Sequence, residues 1–220
     1  MIDKNKKTIV LMPPKTASNS IRVLLEQFGY VFFKDSKINY PQIHLKLSEI
    51  VELYDIRNLD DYKIIQVVRN PYSRFISSYF FQKKIIPDWV DVKFKNFDLN
   101  SFSNHLLESK NTDDFVLNFY GNNSFVNDCI QSGKSWGGVR FYDKQVDWND
   151  VGVDVKYFKL EELSKETEQL QSYLNLPNGK LPKVNSQELV FDYFELLTPD
   201  VKDIVVKLFE EDFEKFDYNK

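Results

Sequence analysis

The glycine-free segment Pro13-Pro14-Lys15-Thr16-Ala17-Ser18-Asn19-Ser20 lies between a β-branched apolar run, Thr8 to Met12, and apolar positions Ile21, Leu24, Leu25 and Phe28 at helical spacing. The pattern predicts strand, loop and helix, with Gly29 as the helix stop. Such a junction presents unpaired backbone N–H groups and the positive end of a helix dipole, which together bind phosphate or sulfate. Lys15 adds a cation at that point, and Thr16, Ser18, Asn19 and Ser20 add hydroxyl or amide donors.

A second unit of the same kind follows. Asp61 to Val68 reads as a buried strand, Arg69-Asn70-Pro71 breaks it, and Pro71 to Phe81 resumes as a helix. Leu47 to Tyr54 is the short crossover helix between the two units, as a parallel sheet requires. Residues 88–150, rich in Asn, Asp, Ser and aromatics, predict short helices and loops. Val151 to Leu160 alternates as a late strand, Glu161 to Leu174 reads as a helix, and Leu176 to Gln187 as a loop. Near the end, Thr198 as N-cap, Pro199 at the first helical position and Asp200 in the first turn precede an apolar face of Val201, Ile204, Val205, Leu208 and Phe209. With 220 residues, 42% hydrophobic and 28% charged, one core is affordable. The expected architecture is a single α/β domain over 1–220, a central parallel β-sheet flanked by helices.

Charge narrows where an anion site would lie. The net charge of −4 is unevenly spread, since residues 1–110 carry 17 Lys/Arg against 12 Asp/Glu and the remainder carries 12 against 21. The N-terminal half is therefore the place to look. The acidic total, without a basic aromatic face, disfavours nucleic acid as a partner. Cys129, the single cysteine, cannot form an internal disulfide, and no apolar run approaches the ~20 residues of a membrane span. A cytoplasmic enzyme without membrane anchor is the expectation. Gly133-Lys134-Ser135 imitates part of a Walker A loop, but Asp128 stands where that motif needs its first glycine. Asn122-Asn123-Ser124 matches a glycosylation sequon, which carries no meaning in the cytoplasmic enzyme expected.

Ligands of open α/β sheets gather at the carboxyl ends of strands, so Lys15 and Arg69 are expected to face one crevice, with Ser77 eight residues past Arg69 in the next helix. A kinase needs acidic ligands for Mg²⁺ near the phosphates, and at the end of the second strand this chain has Arg69 instead. That favours an anionic group read directly by arginine over a Mg-bound triphosphate. For a general base the chain offers His44, just before the crossover helix, with Glu49 and Glu52 in reserve; His105 falls in a polar helix and reads as structural. Tyr79, Phe80, Phe81, Trp89, Phe94, Phe97, Trp136 and Trp148 are either core or the lining of an acceptor cleft. A P-loop-like kinase and a non-catalytic nucleotide- or sulfate-binding module both remain open at this point.

The two basic segments together resemble the sulfotransferase superfamily, whose donor is 3′-phosphoadenosine 5′-phosphosulfate (PAPS). Pro14 to Ser20 is similar to the 5′-phosphosulfate loop of glycan sulfotransferases, P-K-T-A-S-x-S, and Val67 to Tyr79 to the 3′-phosphate segment, V-R-D/N-P-x-x-R-x-x-S-x-Y. Weaker echoes are Val155 to Leu163, Leu181-Pro182-Lys183-Val184-Asn185, and Asp212 to Tyr218, which resembles a closing D-F-x-x-f-g-Y. The resemblance implies a P-loop-like sulfotransferase fold. It also implies that Lys15 contacts the bridging oxygen and the 5′-phosphate, that Thr16, Ala17, Ser18, Asn19 and Ser20 line the phosphosulfate loop, and that Arg69 and Ser77 hold the 3′-phosphate. The acceptor would be a hydroxyl on a carbohydrate, with His44 beside it, and no metal is called for. Lys156-Tyr157-Phe158-Lys159 departs from the relatives' Gly-Arg-Phe-Glu, and Asn19 stands where they often have Thr.

Overall fold

The computed structural model describes residues 1–32, 44–85, 98–109, 142–177 and 193–220. Its contacts divide the chain into two compact units, Met1–Asn70 with Gln145–Glu188 and Pro71–Lys144 with Leu189–Lys220. Both are discontinuous in sequence, so no composition shift or linker marks their boundary.

The first unit holds the sheet, in the order β1 (Ile2–Asp3), β2 (Thr8–Leu11), β3 (Lys63–Val68) and β4 (Lys156–Lys159). β2, β3 and β4 are parallel, and β1 pairs antiparallel on the outside of β2. The two-residue β1 has no periodicity to be read from sequence. The late strand is shorter than its alternation suggests, because Val151 to Val155 lie outside any ladder. The strands' alternation sorts their side chains onto two faces. Val10, Ile65, Val67 and Phe158 pack with Ile21, Leu24 and Leu25 of α1 (Ser18–Gln27) and with Leu163 and Leu170 of a later helix, Leu163–Tyr173. Ile9, Leu11 and Ile64 pack on the other side with Leu47 and Ile50 of α2 (Leu47–Leu53) and with Trp148 of the 3-10 helix Gln145–Asn149. The class is α/β, with a mostly parallel sheet covered by helices on both faces.

The described part of the second unit is helical: α3 (Pro71–Ile85), α4 (Leu99–Glu108) and, after the first unit's α5 (Leu163–Tyr173), α6 (Pro199–Lys215). The Thr198 hydroxyl accepts from Val201 N–H at 3.4 Å, and Val201, Val205 and Phe209 enter the core with Phe75, Phe102 and Phe213, as the amphipathic pattern predicts. Arg74 of α3 is also buried there. Its Nη1 donates to the Asp143 carbonyl at 2.8 Å and stands 4.0 Å from the carboxylate of Asp212, itself wholly buried. Removing one partner of such a pair typically costs about 3–5 kcal/mol. The second arginine of the R-x-x-x-x-R spacing therefore has a structural role in α3, and the Asp212 of the closing echo is its counterion.

Helix ends explain other polar positions. α1 ends at Gly29, φ 73°, with Tyr30 N–H donating to the Leu25 carbonyl. Asp217 takes the same left-handed position after α6, φ 51°, where the resembled motif carries glycine. Tyr79 and Trp148 are core residues, 4% and 0% exposed, and Phe80 and Phe81 pack against the core. Trp89, Phe94, Phe97, Trp136, Cys129, the Gly133-Lys134-Ser135 imitation, the sequon and the Leu181–Asn185 echo lie outside the described residues. Among the described residues, no helix is long and apolar enough to cross a membrane.

Candidate active site

β2 ends at Leu11, and α1 begins at Ser18, three residues earlier than its first apolar position suggests. Its first helical bond runs from Ile21 N–H to the Ala17 carbonyl at 3.1 Å, so the N–H groups of Ser18 and Asn19 lie ahead of it at the positive end of the helix. The loop makes its turn without glycine, by placing Lys15 at φ 67° and Ala17 at φ 60°. Left-handed backbone at a non-glycine residue costs about 1–2 kcal/mol, strain of the kind that concentrates at functional sites. Thr16 is fully buried and its hydroxyl donates to the Pro13 carbonyl at 2.7 Å. Its side chain is thus a staple within the loop, and the donors nearer solvent are those of Lys15, Ser18 and Asn19, all half-buried.

Lys15 and Arg69 meet, as expected of residues at the ends of neighbouring parallel strands. The Arg69 Nη1 donates to the Lys15 carbonyl at 3.2 Å. Burial, and then the charge of Arg69, lower the Lys15 ammonium from its usual range to about 8. Two cations held together beside the start of a helix form a site of the kind that suits an anion.

His44 joins the same loop. Its Nδ1 lies 2.7 Å from the Met12 carbonyl, and since a carbonyl only accepts, Nδ1 carries the proton. In the neutral ring Nε2 is then the basic atom. Glu49 has a different occupation, accepting the Lys46 N–H at 2.7 Å to close the first turn of α2, and Glu52 is exposed on that helix. His105 lies on α4 in the second unit. Ser77, on α3 and assigned to the second unit, is half-buried.

Two residues that sequence reasoning passed over hold the end of β3. The Gln145 carboxamide bonds both the N–H and the carbonyl of Arg69, and Glu161 accepts the N–H of Asn70 at 2.9 Å. Gln145 is 76 residues from Arg69 in a stretch of weak periodicity, so no local signal pointed to it. Glu161 lies within the Val155–Leu163 echo, two residues past the Lys156–Lys159 departure, and the echo assigns it no role.

A sequence model described as the sulfotransferase family matches residues 1–219. No curated protein and no solved structure matches the chain. The match spans both the strained basic loop and the arginine at the end of β3, within an α/β sheet of the expected kind, and the chain belongs to the sulfotransferase family.

Proposed function

We propose that the protein transfers a sulfuryl group from PAPS to a hydroxyl on a carbohydrate, and that residues 1–220 act as one sulfotransferase domain. The observation that carries this reading is the Arg69 bond to the Lys15 carbonyl, which joins the two cations at the start of α1. These residues fit a nucleotide with separate 5′ and 3′ anionic groups. The 5′ end would lie against Lys15 and the N–H groups of Ser18 to Ser20, and Arg69 would read the 3′-phosphate; Ser77 is added by the resemblance. In the reaction, the acceptor oxygen bonds to sulfur as the bond from sulfur to the 5′-phosphate oxygen breaks. Lys15 stabilises the charge that grows on that leaving oxygen, and His44 Nε2 receives the acceptor's proton.

Thermal unfolding with added nucleotides tests the assignment. Adenosine 3′,5′-bisphosphate at about 100 times its Kd should stabilise the fold by ~2.7 kcal/mol, and ATP with Mg²⁺ should leave it unchanged. Stabilisation by ATP with Mg²⁺ alone would replace this reading by the kinase one. Bisphosphate binding with no transfer to any of a panel of glycans would leave a nucleotide-binding module.

A further inference from the structure

We propose that Gln145 is a positioning residue for Arg69: its carboxamide grips the main chain at the end of β3 and thereby sets where the guanidinium stands. The consequence for ligand binding rests on the reading of Arg69 as the arginine of the 3′-phosphate.

The β3–β4 ladder ends at Val68, whose carbonyl accepts from Leu160 N–H at 2.7 Å. One residue later the chain has left the sheet, and its N–H and carbonyl need new partners. Gln145 supplies both. Its Oε1 accepts from Arg69 N–H at 2.8 Å, and its Nε2 donates to the Arg69 carbonyl at 2.8 Å. One carboxamide bonding both groups of one residue imitates the next strand of the sheet, and it fixes the peptide's orientation as well as its place. Gln145 is fully buried, so water does not compete for either bond. Its own carbonyl accepts from Gln66 Nε2 at 2.7 Å, which ties the 3-10 helix back to β3. Gln66 is likewise fully buried.

Asn70 N–H, held by Glu161, extends the grip by one residue. The main chain at 68, 69 and 70 is therefore pinned in succession by residues 160, 145 and 161, immediately before Pro71 opens α3. The two-point grip falls on the residue whose side chain reaches across to the Lys15 loop. Arginine has several rotatable bonds between main chain and guanidinium, so its reach is first decided by where its main chain lies.

Gln145→Leu and Gln145→Met remove both bonds with little change of volume, and circular dichroism checks the fold. Calorimetric titration then compares adenosine 3′,5′-bisphosphate with adenosine 5′-monophosphate, which lacks the 3′-phosphate. The expected result is monophosphate affinity within about twofold of wild type and bisphosphate affinity about tenfold weaker, the scale of one misplaced charge-assisted contact. Equal weakening of both nucleotides, the sign of a merely structural role, would overturn the proposal, as would no change. Amide hydrogen exchange at Arg69 gives a readout independent of any nucleotide: slow in wild type and at least about tenfold faster in the variants. If wild type binds the two nucleotides equally, the 3′-phosphate reading fails, and faster exchange in the variants still supports the grip while unchanged exchange refutes it. If neither variant folds, wild-type exchange decides, with protection at Arg69 supporting the proposal and free exchange overturning it.

Discussion

Binding of adenosine 3′,5′-bisphosphate should take up a proton, and the proton should go to Lys15. With its ammonium lowered to about 8, half of the free protein carries a neutral Lys15 at that pH. An anionic ligand against Lys15 favours the charged form and restores an ordinary lysine pKa. Linkage then gives an uptake of about half a proton per ligand near pH 8, about 0.1 near pH 7 and about 0.9 near pH 9. The ligand's own second phosphate ionisation, near ~6, is complete over this range and adds little. Affinity should accordingly fall about tenfold between about pH 7 and pH 9, or ~1.4 kcal/mol. Stability of the unliganded protein moves the other way. The folded-state pKa lies below the unfolded one, so between about 8 and 10.5 the unfolded chain binds the extra proton, and stability from this group rises with pH. Calorimetric titrations in two buffers of different ionisation enthalpy measure the uptake directly. Lys15→Met should bind more weakly with no uptake near pH 8. Uptake of the same size in wild type and Lys15→Met would refute the reasoning, because the titrating group would lie elsewhere.

Three further outcomes follow from the same geometry. Asp212→Ala should destabilise the protein by about 3–5 kcal/mol in chemical unfolding, since it removes the buried carboxylate beside the buried Arg74 guanidinium; a loss below about 1 kcal/mol would show the pair to be unimportant. Asp217→Gly should raise stability by about 0.5–1 kcal/mol, because glycine adopts the left-handed φ of 51° without a Cβ penalty, and a lower Tm would contradict this. His44→Ala should lower the turnover rate by about 10² to 10⁴ with bisphosphate affinity nearly unchanged, and should remove the acid limb of the pH–rate profile; retention of that limb would move the base elsewhere.

Much of this protein is written locally. Apolar runs and stop signals mark β2, β3, α1, α2 and α6, because a buried strand or an amphipathic helix must repeat its apolar residues at its own period. The loop between β2 and α1 and the end of β3 before Arg69 are legible as well, since the end of a strand is marked by a few consecutive residues. Pairing over long separations was not. Nothing near residue 145 announces that its carboxamide completes β3, nothing near 74 names Asp212 as its counterion, and β1 is too short to carry a period. The Thr16 hydroxyl looked like a ligand donor and is turned inward to Pro13, and Glu49 looked like a spare base and closes α2. The backbone path decides such assignments: a polar atom bonds the partner that folding brings within reach, and that partner is fixed by the course of the whole chain.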